Sequence, residues 1–584
     1  MLIVLGALAG VVAGFAAVLF VWSVDFVNSA VWGWSLGGDH EVPSQVLAGG
    51  EHAGQLPAWY PLVVVPVGLL LVIALVRRFA PAAGGHGVPE VMEAVALRSG
   101  LMKGRVGVVK LLASSINIGL GGSVGKEGPI VQVGAAFASA LSRLFVVRGR
   151  NMRTLVGCGA AAGIAAVFNA PIGGVMFALE IIIGSYNLSS FSPVLIASVA
   201  GAVTSRTLLG TEPAFAIPDE IKQGLSISSP YEFGAYVLLG LLFGVAAVGF
   251  NRTLLFIEDR AAAWRFPIVL KALVAGLLVG AMGMNLPQLL GEGHHSMTEV
   301  LTGSPESWPW LLLAALAVLK TVATGVTLAG GGSGGVFAPS LFVGAMLGAL
   351  FGQLMNEIFP GQVGAMGGYA LVGMAALLAG SAHAPLTAIL LLFEMSDNYL
   401  VILPLMTASV ISTVVSQRLM PDSIYTVGLA RRGIVLRDHE DSTLLRRLRV
   451  ADAMQPPVSV IPDTTTFDRI VRRVMQSDRL DFPVVDAEGH LTGVLSLDDL
   501  REFLRDDSLD HLLLARDCAR PTITLRPQDT LLYALESLDQ NSVHDVPVVS
   551  GEKLVGSLRR GDVLRTYRRA LAAASAAGGN RPSS

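Results

Sequence analysis

The run Gly121-Gly122-Ser123-Val124-Gly125-Lys126-Glu127-Gly128-Pro129-Ile130-Val131-Gln132-Val133-Gly134 sets an ionisable pair inside a long apolar region. A charge at bilayer depth costs about 2.5 to 3.5 kcal/mol on insertion scales, so Lys126 and Glu127 need a structural reason to be there. The glycines supply part of it. Gly122, Gly125 and Gly128 let backbone approach closely, and Pro129 suits the first turn of a helix continuing over residues 130–144. The spacing therefore predicts a helix that begins within the membrane. Its unpaired N–H groups and positive dipole end make an anion site from backbone alone, with Glu127 as the occupant when no anion is bound. For an isolated run, the plain alternative is a glycine-rich packing motif with a snorkelling Lys-Glu pair.

The second half of the chain favours the anion site. Ser333-Gly334-Gly335-Val336-Phe337-Ala338-Pro339, followed by Gly344, repeats the spacing of Ser123, Gly125, Pro129 and Gly134 about 210 positions later. Ala170-Pro171 with Glu180 returns as Ala384-Pro385 with Glu394, and Gly85-His86-Gly87 has a degraded counterpart in Gly293-His294-His295. Duplicated hydrophobic halves with glycine-interrupted helices at matching positions mark a transporter-type repeat, its substrate site between the halves.

Composition agrees. Over 584 residues, 52% are hydrophobic and 15% charged, and the mean hydropathy is +0.61, so most of the chain is membrane-embedded. The average hides a boundary: the chain is apolar to about Tyr425, and charges recur every few residues after Ala430. Net charge −3 averages two unlike parts and says nothing about partners. Residues 2–22 read as a retained first helix and residues 62–76 as a second, closed by Arg77 and Arg78 on the cytoplasmic side. Several later apolar segments are shorter than the ~20 residues of a straight span, which predicts partial, re-entrant helices lining a cavity. Cys158 falls in an apolar helix and Cys518 in the tail, so no disulfide joins them.

The boundaries read as a membrane domain over 1–428, a basic linker over 429–449, two small α/β modules over 450–507 and 508–571, and a disordered Ala/Gly/Ser tail over 572–584. The linker arginines, among them Arg432, Arg437, Arg446 and Arg447, suit topology or lipid headgroups and not nucleic acid. In the modules, Asp481-Phe482-Pro483-Val484-Val485 and Gly493-Val494-Leu495-Ser496 return as Asp545-Val546-Pro547-Val548-Val549 and Gly556-Ser557-Leu558-Arg559, a period of roughly 60.

Body and tail together resemble the CLC family of chloride channels and proton-coupled chloride exchangers over nearly the whole chain. Gly125-Lys126-Glu127-Gly128-Pro129 is similar to the family's gating-glutamate motif, Gly85-His86-Gly87-Val88-Pro89 to its first anion loop, Gly335-Val336-Phe337-Ala338-Pro339 to its second, and Tyr425 to the tyrosine closing the central anion site. The tail resembles a tandem pair of CBS domains. The resemblance implies a multi-helix α membrane protein with a duplicated, inverted-repeat fold, followed by a cytoplasmic α/β CBS pair. It further implies a homodimer with one pore per subunit in the plasma (inner) membrane. Chloride is the implied cargo, no cofactor or metal is required, and the anion-binding set is His86, Gly87, Gly128, Val336, Phe337 and Tyr425, with Glu127 as the gate. Ser496 and Asp499 fit the hydroxyl-then-carboxylate spacing by which CBS pairs hold adenine nucleotides; in the second module Arg559 precedes Asp562 instead.

Two departures shape the functional expectation. The family's first loop usually carries serine where this chain has His86, whose imidazole is bulkier and can become cationic. Proton-coupled members commonly carry an inner glutamate where this chain has Ile181, next to Glu180. The expectation is a channel-like or weakly proton-coupled anion path; full antiport by a non-standard inner proton route is the alternative. An intramembrane enzyme would need a second chemical group near Glu127, and no His/Cys/Asp cluster with metal or nucleophile spacing accompanies it. A membrane anchor for a nucleotide-sensing tail would not need glycine loops in both halves.

Overall fold

The computed structural model describes residues 1–32, 57, 59–147, 149–211, 215, 230–303, 307–360, 362–431, 445, 448–457, 459–475, 481–496, 513–541 and 545–578. The chain separates into two compact units, residues 1–436 and 437–584.

The first unit is all helical among its described residues. Its first half runs α1 (Leu2–Trp32), α2 (Pro61–Phe79), α3 (Val88–Leu97), α4 (Gly104–Gly119), α5 (Glu127–Leu144), α6 (Gly149–Phe168), α7 (Pro171–Phe177, continued by a π-helical turn over Ala178–Ile183) and α8 (Leu188–Leu209). The second half repeats the series: α9 (Pro230–Ala263), α10 (Ile268–Asn285), α11 (His294–Thr302), α12 (Trp310–Ala329), α13 (Phe337–Ile358), α14 (Met366–Ala382), α15 (Pro385–Ser396) and α16 (Ile402–Leu419), with α17 (Val427–Arg431) closing the unit. Nine helices among the described residues are long and apolar enough to cross a membrane, while the helix over residues 171–183, α14 and α15 are apolar but shorter.

The halves are related as an inverted repeat. Helix α1 packs on α8 as α9 packs on α16. The counterparts α2 and α10 lie against each other and run antiparallel, with Gly276 on Pro66 and Gly280 on Pro61. At these glycines any Cβ would overlap the facing backbone. One large apolar cluster spans both halves, from Phe20 and Val124 to Phe337 and Tyr425, so the two halves share a core, while a smaller cluster around Leu5, Leu155 and Val194 belongs to the first half alone.

The helix starts differ slightly from the pattern reading. Helix α5 begins at Glu127 and α13 at Phe337, two residues ahead of each proline, because a proline in the first turn needs no N–H partner and does not have to occupy the first position. The repeat of the first loop is also corrected. The structural partner of Gly85-His86-Gly87 is Gly291-Glu292-Gly293, not Gly293-His294-His295. All four flanking glycines have positive φ (71°, 94°, 60° and 82°), and a helix starts immediately after each loop.

The second unit holds two α/β modules. In the first, β1 (Ile461–Pro462) pairs in parallel with β2 (Asp481–Val485), which pairs antiparallel with β3 (Leu491–Ser496) beside α18 (Phe467–Met475). The second has α19 (Ala515–Cys518), α20 (Leu531–Asn541), the antiparallel pair β4 (Asp545–Ser550) and β5 (Lys553–Arg559), and α21 (Arg560–Gly578). The modules join through Asp545 N–H to Asp481 Oδ2 (3.2 Å) and Leu491 N–H to Glu552 O (3.0 Å). The segment expected to be disordered from residue 572 is instead helical to Gly578, since alanine is the strongest helix former; residues 579–584 lie outside the described ones. Both cysteines are free and buried.

Candidate anion site between the repeated halves

Three loops meet where the halves join. Gly125 N–H donates to Gly335 O (2.8 Å) and Gly335 N–H to Gly125 O (2.7 Å), an antiparallel bridge made of one residue from each half. The third loop docks on it through Gly334 N–H to Gly85 O (3.3 Å). Side chains behind the loops lock this arrangement: Ser333 Oγ donates to Ala83 O (3.1 Å) and shares a bond with Ser114 Oγ (3.0 Å), and Asn117 Nδ2 donates to Ser333 O (3.0 Å). Gly128 faces His86 O so closely that a Cβ would overlap it. The loops carrying His86 and Gly87, Glu127 and Gly128, and Val336 and Phe337 therefore form one cluster.

Glu127 is the first residue of α5 and is 1% exposed. Neither carboxylate oxygen has a hydrogen-bond partner. The carboxylate packs against Gly125 and Gly335, where an added Cβ on Gly125 would overlap Oε2. The first N–H groups of α5 and α13 lack intrahelical partners, and both helices start at this point. Two positive helix ends thus face one buried carboxylate. Tyr425 is 3% exposed and near enough to Glu127 to interact with it electrostatically. Its backbone is pinned by Ile424 N–H to Ser381 O (3.0 Å), and Ser381 Oγ in turn donates to Asn251 Oδ1 (2.6 Å). Val336 is buried, and the Phe337 ring packs on Phe168 and Phe177 with centroids 5.9 and 6.3 Å away.

The first loop departs from the expected donor set. Gly87 N–H is taken by Glu90 Oε2 (2.9 Å), so what Gly87 gives the site is its left-handed turn and close approach, not a free donor. His86 Nε2 lies 2.8 Å from Glu258 Oε1 of α9. Glu180 caps the start of α15, accepting from Thr387 N–H (2.7 Å), Thr387 Oγ1 (2.7 Å) and Leu386 N–H (3.3 Å). Glu394 returns the contact on Gly173 N–H (2.6 Å) and Ile172 N–H (3.0 Å). Ile181 beside Glu180 is buried.

Pattern reading passed over two lysines. Lys110 in α4 and Lys320 in α12 are fully buried and donate to Gly85 O (2.7 Å) and Gly291 O (2.8 Å). They hold the carbonyls of the two equivalent loops and stand 210 positions apart, the same period as the glycine runs. A lone cation in an apolar helix was the available signal, the same one that singled out Glu127. Lys126 pairs with Glu292 of the second-half loop at 3.2 Å.

In the tail, the register sets Ser496 opposite Asp481 and Arg559 opposite Asp545, so the modules carry these residues at equivalent places. Asp562 is 2% exposed, accepts Arg559 N–H (3.1 Å) and bonds Arg565, which makes it the cap of α21. Arg559 Nε lies 3.7 Å from Asp545 Oδ2. Asp499 falls outside the described residues. Asp486, Glu488 and His490 cluster in the β2–β3 turn, where Asp486 Oδ1 accepts the Glu488 and His490 N–H groups at 3.0 and 2.7 Å; these bonds explain the cluster as turn structure.

Comparison with known proteins accords with this architecture. The profile of the family described as voltage gated chloride channel matches residues 68–417, and that of the CBS domain matches 450–506 and 515–569. A putative chloride channel protein ClcB-like from Ralstonia nicotianae is 34% identical over 73% of this chain and 96% of its own length. An H(+)/Cl(−) exchange transporter ClcA from Vibrio parahaemolyticus is 32% identical over 74% of this chain and 89% of its own. The crystal structure of a eukaryotic CLC transporter superposes with a TM-score of 0.71 over 96% of this chain and 97% of that one; at 22% identity this speaks to fold alone. The chain belongs to the CLC family of membrane anion transporters, carrying a pair of CBS domains behind its membrane body.

Proposed function

We propose that this protein moves chloride, or a small anion like it, through a path gated by Glu127. The observation that carries the reading is the buried, unpartnered Glu127 carboxylate at the junction of two helix N-termini from opposite halves. A dehydrated anion needs partial positive charge without a full cation that would trap it. Helix ends at Gly128, Val336 and Phe337, with the Tyr425 hydroxyl and His86 at the margins, meet that need. The Glu127 carboxylate competes with the anion for the same place, and protonation removes its charge and its hold. Flux therefore rises as pH falls. Membrane potential adds about 2.3 kcal/mol per charge per 100 mV, enough to bias the anion or the carboxylate. Chloride efflux from liposomes tests the gate: Glu127→Gln should raise efflux and flatten its pH dependence, and an unchanged rate with an unchanged pH profile removes the role.

Channel-like or weakly coupled transport is the reading supported by Ile181, which carries no proton, and by Glu180, whose carboxylate is committed to the α15 cap. Coupled proton/chloride antiport is the second reading, favoured by the contact of His86 on the first anion loop with Glu258 of α9. A chloride gradient imposed on vesicles separates the two. Uphill proton movement that Glu258→Gln abolishes supports antiport through this pair; chloride flux with no proton movement supports the channel-like path.

The protein works as a homodimer in the plasma (inner) membrane, each subunit with its own path. Helix α16 offers an apolar face for the partner, with Leu403, Met406, Val410 and Val414 exposed. Arg77 and Arg78 at the end of α2 support a cytoplasmic position for that helix end, and in this reading the tail is cytoplasmic as well. The CBS pair regulates transport by binding an adenine nucleotide, with Ser496, Asp499 and Arg559 as candidate contacts and Asp562 holding the Arg559 turn at the start of α21.

A further inference from the structure

A groove of about 170 Å³ opens on the outer wall of the first unit, where the C-terminal end of α9, the start of α10 and the end of α12 meet. Its apolar wall includes Phe256, Trp264, Leu278 and Gly330. Phe256, Trp264 and Leu278 are 58%, 51% and 48% exposed, so no described residue of the chain covers this surface, as a lipid-facing wall requires. Two cations, Arg260 and Lys271, also line it. Arg260 lies over the Phe256 ring at 5.2 Å, and Lys271 donates one of its three N–H bonds to Ala261 O at 2.5 Å, in the last turn of α9. Among the described residues, no acidic one lines the groove. The two acids nearest in sequence are engaged elsewhere, Glu258 with His86 and Asp259 with Arg431.

Depth matters as much as charge. Arg260 and Lys271 stand at the end of one candidate span and the beginning of the next. Because α2 and α10 run antiparallel, with Gly276 on Pro66, Arg77 and Arg78 lie at the same membrane edge. From Lys271 to Leu278 the helix descends about 10 Å, roughly the upper part of an acyl chain. Tryptophan at the mouth is the side chain that settles at headgroup level.

We propose that this groove is a binding site for one acidic phospholipid of the leaflet bordering the Arg77 edge. The phosphate sits on Arg260 and Lys271 beside Trp264, and one acyl chain lies along Phe256, Leu278 and Gly330. A neutral zwitterionic lipid fills the same apolar wall but its ammonium sets a like charge near the two cations, so the site discriminates by headgroup. The assignment is independent of the Glu127 gate.

Native mass spectrometry of the full-length protein in detergent tests it, with phosphatidylglycerol and phosphatidylcholine of equal chain length as probes. The wild type should retain phosphatidylglycerol on the order of tenfold more tightly. The preference should vanish in R260Q/K271Q, persist in R260K/K271R, and both lipids should be lost on V274W, which fills the groove. Equal retention of the two lipids by the wild type, or an undiminished preference in R260Q/K271Q, overturns the proposal. Displacement of the lipid by millimolar inorganic phosphate also overturns it, because a phosphate site needs no acyl chain. V274W leaves both cations in place, so it tests the groove without depending on the folding of the charge variant.

Discussion

Glu127, His86 and Gly128 show how much a single position was able to disclose. Glu127 was legible because a carboxylate in an apolar run is costly and so demands a purpose. By the same logic Lys110 and Lys320 were legible too, but a lysine ends in a flexible stem that reads as snorkelling, and its carbonyl partners on Gly85 and Gly291 appear only once the chain is folded. His86 was visible as a departure; its partner, Glu258, lies 172 residues away and no local pattern links them. Gly128 carries a sharper expectation. Its Cα faces the His86 carbonyl with no room for a methyl group, and both belong to backbone that cannot rotate aside. Gly128→Ala should push the first loop off the Gly125–Gly335 bridge at a cost of about 1–3 kcal/mol and abolish most chloride efflux. Near-normal efflux from this variant would mean that the loops are not packed as described.

At the level of elements, the duplicated helices were readable from glycine and proline spacing, while their exact starts and pairings were not. Matching His86 to a histidine in the second half shifted the repeat by two residues, because residue identity was weighed above the glycine spacing that sets positive φ. The reciprocal caps were half visible. Glu180 and Glu394 were seen as a repeated pair, but not that each satisfies the start of the other's short helix, α15 for Glu180 and α7 for Glu394. Unpaired N–H groups inside a membrane have no water to turn to. Glu394→Ala strands the Ile172 and Gly173 N–H groups, and Glu180→Ala those of Leu386 and Thr387. Each should cost about 1–3 kcal/mol per orphaned group and lower the midpoint of thermal unfolding in detergent by a similar amount in the two variants. A clear inequality would show that the two caps are not equivalent.

Across the whole molecule, the boundary between an apolar body and a charged tail was the plainest signal, and the division into units at residue 436 follows it. The tail's end departs from its low-complexity look because alanine-rich sequence has high helix propensity, and the helix runs to Gly578. The proposed nucleotide contacts are harder to read. Strand register brings Ser496 and Arg559 to matching places, yet Asp562 is engaged by Arg565 and the backbone of Arg559, which sequence spacing does not reveal. Calorimetry with ATP, ADP and AMP on the full-length protein should therefore show heat that Ser496→Ala weakens while Asp562→Asn chiefly lowers tail stability. Heat unaffected by Ser496→Ala would remove that contact, and no heat with any nucleotide would leave the pair a ligand-free module.

The Gly125–Gly335 bridge has an implication for how such a chain could arise. Each half contributes one N–H and one C=O, and the two residues are interchangeable under the repeat. A half-length ancestor would leave its glycine with nothing to hold, yet two identical copies threaded into the bilayer in opposite senses would complete the bond pair from the same gene product. Fusion of two such genes would free the halves to diverge, and at the equivalent positions one half carries the Glu127 carboxylate and the other the phenyl ring of Phe337.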